Sequence, residues 1–227
     1  MAEKSGGAAA LLDVDGTLVD TNYLHAVTWW EAFRQSGRPV PMADIHRTIG
    51  MGSDRLIGRL LGEDRDREQD AAITAAHRAL YGEYWTRLAP LEGAADLLRE
   101  CRRRGWTVVL ASSAQGAELA AMRRALDAED VVADATSSDD VAGSKPAPDL
   151  VEQALRRAGV AADRAVFVGD TVWDVTACRR AGVPCLGVLS GGISERELRE
   201  AGAAEVYRGP AELLERIGDS LLGAPPR

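Results

Sequence analysis

Short and nearly continuous apolar segments recur along the chain and predict buried β-strands. They do not alternate between apolar and polar residues, which is typical of strands covered on both faces. Near Ala203 the segment AAEVYRG indicates a further strand. The five main segments are Ala8–Val14, Trp106–Ser112, Val131–Ser137, Ala165–Asp170 and Val183–Leu189.

Amphipathic segments lie between these strands and predict helices. The segment Gly93–Gly105 carries an apolar stripe and ends on glycine, as many helices do. The segments AELAAMRRAL, APDLVEQALRRAG and VTACRRAG follow the same pattern. Alternation of strand and helix predicts an α/β fold, a Rossmann-like, doubly wound parallel sheet with helices on both faces.

The region from about Tyr23 to Leu88 interrupts this alternation. It contains no convincing strand, and three amphipathic stretches within it predict helices. We therefore predict a helical insertion at residues 21–88, with the α/β core domain at 1–20 and 89–227. The chain would cross between the two parts at Leu18–Thr21 and Leu88–Glu92.

Composition narrows the class of partner. The chain has 227 residues and a formal net charge of -8, which argues against nucleic acid as a ligand. No run of about 18 apolar residues predicts a membrane span. The N-terminus lacks the apolar core of a secretory signal. Three cysteines without a C-x-x-C pair predict free thiols rather than disulfides, so we expect a cytoplasmic protein. We also expect a monomer or a homodimer.

Polar side chains follow four of the predicted strands at the point where each strand ends. Parallel strands bring their carboxyl ends to one edge of the sheet, where ligands bind. We expect these groups to meet at that edge although they are distant in sequence. They are Asp13 and Asp15 after the first strand, Ser112 and Ser113 after the second, Lys145 after the third, and Asp170 and Asp174 after the fourth.

Crowded carboxylates repel one another, and a divalent cation removes that repulsion. Oxygen ligands favour Mg²⁺, which binds one or two carboxylates together with a substrate phosphate. A hydroxyl and a lysine suit the phosphate itself. Each residue alone would more often be a helix cap, a turn or a solvated charge. Their joint order after successive strands favours a Mg²⁺-dependent site for a phosphorylated ligand.

Four stretches carry a family resemblance: DVDGTLVD, LASS, GSKPAP and GDTVWDVTACRRAG. They resemble the four motifs of the haloacid dehalogenase-like (HAD) hydrolase superfamily, in its phosphoglycolate phosphatase and β-phosphoglucomutase branch. The motifs span Asp13 to Gly182, and the helical insertion lies where that branch carries an α-helical cap domain. The resemblance implies a phosphatase that hydrolyses a small phosphorylated metabolite, either phosphoglycolate-like or a sugar phosphate.

The resemblance also implies roles for the motif residues. Asp13 would attack phosphorus and become an aspartyl phosphate, while Asp15 would act first as acid and then as base. Mg²⁺ would bind Asp13, the backbone carbonyl of Asp15, and Asp170. Asp174 would lie behind these ligands or hold Lys145. The phosphoryl oxygens would be held by Ser112, Lys145 and the neighbouring Ser113.

Departures from the family pattern bear on the reaction. In the dehalogenases the residue at the position of Asp15 is not an acid, because a halide leaves without a proton. The alkoxide that leaves a phosphoester does need a proton, so Asp15 indicates a phosphoester as substrate. The mutases of the branch tend to carry an acid where this chain has Gly169, and a cap arginine near what is Ser53 here. Both differences favour hydrolysis over phosphomutase chemistry, which stays the alternative.

Two further alternatives are a phospho-accepting signalling module and a relative that binds without catalysis. In receiver domains the acidic pair and the phospho-acceptor follow different strands, whereas here the D-x-D pair shares one strand end. The intact set of acids argues against a non-catalytic relative. In the insertion, the segment TIGMGSDRL predicts a loop that meets substrate, with Gly50, Met51, Gly52 and Arg55 as candidate specificity residues.

Overall fold

The computed structural model describes residues 7–137, 140 and 143–225. Within these residues one parallel sheet forms in the order β3-β2-β1-β4-β5-β6. This order confirms the predicted doubly wound α/β fold. The further strand expected near Ala203 is present as the edge strand β6. The strands are β1 (Ala8–Leu12), β2 (Trp106–Ala111), β3 (Val132–Thr136), β4 (Ala165–Gly169), β5 (Cys185–Val188) and β6 (Glu205–Tyr207).

The segment that follows β1 is helical, as its pattern predicts. Its helices have an apolar cluster of their own, which includes Trp29, Phe33, Ile45 and Ile57. This separate cluster fits a helical insertion, while the division into two domains at residues 21–88 stays a prediction. The helices are α1 (Asn22–Gln35), α2 (Met42–His46), α3 (Ser53–Leu61) and α4 (Asp70–Gly82).

The remaining helices cover both faces of the sheet. Ala8, Ala10 and Leu12 of β1 pack on one face, and Ala9 and Leu11 pack on the other, because successive side chains of a strand alternate. On the first face lie α5 (Ala94–Arg103), α6 (Gly116–Leu126) and α10 (Pro210–Glu215). On the second face lie α7 (Asp149–Ala158), α8 (Val172–Ala181) and α9 (Glu195–Ala201).

The two predicted crossings run side by side and hydrogen-bond to each other. The Asp20 backbone N–H donates to the Ala89 carbonyl at 3.1 Å, and the Leu91 N–H donates to the Leu18 carbonyl at 2.9 Å. An antiparallel bridge joins Val19 to Pro90 between them. The helical insertion is thus joined to the sheet by one paired, two-stranded connection next to the carboxyl end of β1.

The structure bears on two expectations from composition, the state of the cysteines and the presence of membrane-spanning helices. Cys101, Cys178 and Cys185 are all buried and free. None of the helices in the described ranges combines the length and the apolar character that a membrane span requires.

Candidate active site

A buried ion-pair cluster lies at the carboxyl ends of β1 and β4. The Lys145 ammonium lies 2.8 Å from Asp13 Oδ1 and 2.6 Å from Asp174 Oδ1, and only 1% of its side chain is exposed. The Asp13 backbone N–H donates to the Val168 carbonyl at 2.9 Å, so β4 holds the residue that follows β1. Residues from three distant parts of the sequence therefore meet in one buried cluster, as the strand-end pattern predicts.

Burial and mutual charge set the protonation of this cluster. Burial alone would lower the pKa of Lys145, but Asp13 and Asp174 raise that pKa above its ordinary value, so the lysine is cationic. Burial raises the pKa of Asp13 well above its usual range, against the lowering effect of Lys145. One ammonium does not neutralise all the carboxylates gathered here. The cluster is thus electrostatically suited to accept further positive charge.

Asp15 lies in a different environment from Asp13. Its Oδ1 accepts hydrogen bonds from Thr21 Oγ1 at 2.7 Å and from His25 Nε2 at 3.1 Å. Burial favours the neutral acid, but the hydrogen bonds and the charge of His25 lower the pKa of Asp15 overall. The two carboxylates of the D-x-D pair thus have pKa values shifted in opposite directions. Such a difference is typical of acids with different chemical roles.

His25 connects Asp15 to the helical insertion. Burial would lower its pKa, but Asp15 and Glu118 raise it, whereas burial and His25 lower the pKa of His77 well below the usual range. His25 Nδ1 lies 3.2 Å from His77 Nε2. In its cationic form, which the raised pKa favours, His25 donates to Asp15 through Nε2 and to neutral His77 through Nδ1. Helices α1 and α4 thus hold Asp15 through a chain of two imidazoles.

Asp170 and Asp174 are held by different local structures. Asp174 forms a capping box at the start of α8, where its Oδ2 accepts from the Thr171 hydroxyl at 2.6 Å and from the Thr171 N–H at 3.1 Å. Asp170 accepts from Thr17 Oγ1 at 2.8 Å and from Asn22 Nδ2 at 2.7 Å. Burial, followed by the Asp174 charge, raises the pKa of Asp170 to about 7. Asp170 is fully buried and is held by neutral donors.

Carboxylate oxygens of Asp13, Asp170 and Asp174 lie within 4.8 Å of one another. This donor set consists of hard oxygens, and the pKa values of Asp13 and Asp170 are raised by burial among like charges. Both properties fit a divalent cation of the Mg²⁺ type, which prefers carboxylate oxygen and would offset the repulsion.

The two serines after β2 take different positions. Ser112 is fully buried; its hydroxyl accepts from the Ala114 N–H at 3.0 Å and lies 3.5 Å from Asp15 Oδ2. Ser113 lines the neighbouring cavity, and its hydroxyl donates to the Gly50 carbonyl at 3.4 Å. The structure therefore brings Ser112 to the acids and Ser113 to the helical insertion.

A cavity of ≈ 260 Å³ lies between the sheet edge and the helical insertion. Asp13, Asp15 and Lys145 line it on the core side. The insertion contributes apolar walls from Trp29, Ile49, Met51 and Leu56 and polar ones from His25, Thr74, His77 and Arg78. The core adds Gln115 and Glu118, which lie at the start of α6. A small molecule placed here would contact both the acidic cluster and the insertion.

Three of the four residues predicted from the segment TIGMGSDRL to meet substrate line this cavity. Gly50, Met51 and Gly52 line it, whereas Arg55 is exposed and does not. Beside this loop, the Ser144 hydroxyl of the core donates to Asp54 Oδ1 of the insertion at 2.9 Å. This hydrogen bond connects the two parts at the cavity wall. The loop thus contacts the cavity through its glycines and Met51 rather than through its arginine.

Gly50 allows the loop to approach the core closely. Its φ is +95°, which disfavours other residues, and a Cβ there would lie 2.9 Å from the Thr171 side chain. We expect Gly50→Ala to lower the free energy of unfolding by about 1–3 kcal/mol, measured by urea denaturation. Gly82→Ala is the matched control, because a Cβ there meets nothing within 4 Å. Equal stability of the two variants would contradict this account.

Gly169 has a steric explanation in this structure. A Cβ at this position would lie 2.6 Å from the Asp174 Cβ and 2.9 Å from its Oδ2. Any side chain here would therefore displace the carboxylate that holds Lys145. The glycine is thus coupled to the position of Asp174.

Several side chains of the site were not predicted as site residues. Thr17, Thr21 and Asn22 lie in or just after the DVDGTLVD motif, so their proximity to it was a usable signal. His77 and Glu118 carry no such signal, because neither belongs to a motif and each lies on an ordinary amphipathic helix.

Comparisons with known proteins agree with this geometry. A family model described as haloacid dehalogenase-like hydrolase matches residues 8–182. The chain is 31% identical to protein CbbY of Cereibacter sphaeroides, over 90% of this chain and 93% of that protein. It is 28% identical to a phosphoglycolate phosphatase of Rhodospirillum rubrum, over 96% of each. A crystal structure of a hydrolase from Pseudomonas syringae superposes with a TM-score of 0.88 at 30% identity, covering 94% of this chain and 98% of that one.

Proposed function

The chain belongs to the haloacid dehalogenase-like hydrolase family, and we propose that it is a Mg²⁺-dependent phosphatase of a small phosphorylated metabolite. The observation that carries the proposal is the buried Asp13–Lys145–Asp174 cluster beside Asp15, at the edge of the cavity. The relatives named above are a phosphoglycolate phosphatase and protein CbbY. By analogy, the substrate is phosphoglycolate-like or a sugar phosphate.

In the proposed reaction Asp13 is the nucleophile. One of its carboxylate oxygens attacks phosphorus as the bond to the ester oxygen breaks, and Asp15 passes to that leaving oxygen the proton that it shares with His25 Nε2. Asp15 then takes a proton from water, the water oxygen attacks phosphorus, and the bond to Asp13 breaks. Inorganic phosphate leaves, and both acids return to their starting states.

Lys145 and Ser112 support this reaction by position and charge. The lysine lies 2.8 Å from the proposed nucleophile, so its charge also neutralises a phosphoryl group bound there. Ser112 is the hydroxyl nearest the acids after β2, and it suits a second hydrogen bond to that group. Ser113 and its backbone lie beside Ser112, at the cavity wall.

Mg²⁺ is part of the proposal because the acidic cluster fits it. Asp13, Asp170 and the backbone carbonyl of Asp15 would hold the ion, while Asp174 stays with Lys145. When bound, the ion supplies positive charge for a transferring phosphoryl group. The neutral donors Thr17 and Asn22 keep the Asp170 carboxylate in place for this role.

We expect the purified full-length chain to release inorganic phosphate from p-nitrophenyl phosphate only with Mg²⁺. Chelation by EDTA should lower the rate by at least about 100-fold, because the charge of the acidic cluster then opposes a phosphate dianion. Malachite-green detection of phosphate over a panel of phosphorylated metabolites provides the measurement. Equal rates with and without Mg²⁺ would contradict the proposal.

Mg²⁺ affinity should depend on pH through Asp170. Its pKa is raised to about 7, and a protonated carboxyl is a poor metal ligand, so protons compete with the ion below that value. From pH 6 to pH 8 the Kd should fall by at least about tenfold, measured by isothermal titration calorimetry, because the pKa of the second carboxylate ligand, Asp13, is raised as well. Asp170→Asn should bind Mg²⁺ weakly at both values. A Kd for the native chain that does not change with pH would be inconsistent with this site.

A further inference from the structure

Glu118 lines the proposed substrate cavity and belongs to none of the family motifs. We propose that Glu118 is a specificity-determining residue that selects phosphomonoesters with a hydroxyl on the carbon next to the one bearing the phosphate. The inference rests on the proposed phosphatase function and deepens it, because it chooses between the two substrate classes left open above.

The position of Glu118 relative to Asp15 carries the argument. Glu118 lies in the first turn of α6, and only 15% of its side chain is exposed. An oxygen of its carboxylate and one of Asp15 lie within 4.8 Å of each other. His25 Nε2 lies between them, at 3.1 Å from Asp15 Oδ1 and 3.5 Å from Glu118 Oε1. Two carboxylates of the cavity thus face the same small volume.

This spacing matches two neighbouring oxygens of a substrate. Asp15 acts on the leaving oxygen, so that oxygen lies within hydrogen-bond distance of Asp15 in the reacting complex. A hydroxyl on the adjacent carbon lies next to the leaving oxygen and can donate to Glu118. An ester without that hydroxyl leaves one acceptor position of the Glu118 carboxylate desolvated and unfilled in the cavity, which costs binding.

The charge of Glu118 disfavours the other substrate class. A carboxylate is an acceptor and has no proton to donate when ionised. Burial raises the pKa of Glu118 to about 7, against the lowering effect of His25, so the ionised form is well populated at and above neutral pH. A substrate with its own carboxylate on the carbon next to the ester would place like charges together. Phosphoglycolate is such a substrate.

Glu118 also has a structural role at the start of α6, and this role is compatible with binding a substrate hydroxyl. It is the third residue of α6, and the backbone N–H of Gln115 before the helix stabilises its carboxylate. A carboxylate has two oxygens and about four acceptor positions, so a helix cap and a substrate hydroxyl can share it. The cap orients the side chain toward the cavity.

The test compares matched esters in the presence of Mg²⁺. The kcat/KM for phosphate release is measured for 2-hydroxyethyl phosphate, ethyl phosphate and phosphoglycolate, with p-nitrophenyl phosphate as a general phosphatase substrate. The native chain should prefer 2-hydroxyethyl phosphate over ethyl phosphate by about 10- to 100-fold, the range of a hydrogen bond to a charged group. Phosphoglycolate should be the poorest of the three. Glu215→Gln, an exposed substitution of the same chemistry on α10, should keep these ratios.

Substitutions at Glu118 separate specificity from structure. Glu118→Ala should bring the two alkyl esters to within about threefold of each other, and Glu118→Gln should give an intermediate ratio while keeping the shape of the side chain. A native chain without the preference, or one that prefers phosphoglycolate, would overturn the proposal. An equal loss of kcat/KM on every ester in both variants would also overturn it, because Glu118 would then act only through His25 or through folding. If no ester releases phosphate, p-nitrophenyl phosphate included, the proposed function itself fails.

Discussion

Asp13→Asn is expected to lower kcat for phosphate release by at least about 10³-fold while leaving the fold intact. The amide is a far weaker nucleophile than the carboxylate, and no other residue in the mechanism forms the covalent intermediate. Asparagine has the shape of aspartate and can still accept a hydrogen bond from Lys145, which lies 2.8 Å from Asp13 in the native chain. Circular dichroism and urea denaturation check the fold, and steady-state kinetics with Mg²⁺ check the rate.

A matched control and a direct observation sharpen this result. Asp96→Asn changes an exposed aspartate on α5 in the same way and should leave kcat unchanged. Rapid acid quench followed by mass spectrometry should detect one added phosphoryl group on the native chain during turnover, and none on Asp13→Asn. More than a tenth of the native rate in Asp13→Asn, with the phosphoryl adduct still present, would assign the nucleophile to another residue.

Lys145→Met is expected to have the largest effect on stability. The substitution leaves Asp13 and Asp174 as buried carboxylates without their shared ammonium, and breaking one side of a buried ion pair costs about 3–5 kcal/mol. Urea denaturation at pH 8 without Mg²⁺ measures this loss. Phosphatase activity should also fall, because the charge that holds the phosphoryl group is gone. Arg102→Met, an exposed cation on α5, should change stability by less than about 0.5 kcal/mol.

The pH dependence of this loss follows from the carboxylates. In the variant the pKa of Asp13 in the folded protein lies even further above its value in the unfolded chain, because Lys145 no longer opposes the effect of burial. The penalty is therefore absent below the unfolded pKa, grows as pH rises toward the folded pKa, and is complete above it. The deficit should thus be smaller at pH 5 than at pH 8. A deficit below about 1 kcal/mol at pH 8 would show that the ion pairs add little to stability.

A double substitution tests the cause directly. Adding Asp174→Asn to Lys145→Met removes one of the two uncompensated charges, so it should recover part of the stability lost in the single variant. If the two substitutions simply add, packing of the Lys145 stem rather than its charge accounts for the loss.

The strands and the order of the site residues were predictable because each depends on local sequence. Continuous apolar segments such as Ala165–Gly169 need burial on both faces, so the alternation of strand and helix led directly to a parallel sheet. Parallel strands end at a common edge, and that rule alone predicted that Asp13, Lys145 and Asp170 would meet. The motif resemblance added roles to these positions but did not change their placement.

The helical insertion was predicted less completely. Its helical character and its two crossings follow from pattern, and the structure adds that the crossings pair at Val19 and Pro90. The residues that face the cavity depend on how each helix is rotated about its axis. Arg55 lies one turn from the cavity-lining Gly52 yet is exposed, because the apolar side of α3 buries Leu56 and Ile57 instead.

By itself, the sequence determined the sheet, the order of its strand ends, and the position of Asp13 and Asp15 together at the end of one strand. These properties follow from burial, from the two-residue period of a strand and from parallel topology. Tertiary structure alone decided that His25 and Glu118 would lie beside Asp15. These side chains come from separate amphipathic helices, and their meeting depends on the packing of α1 and α6 around one cavity, which no local pattern encodes.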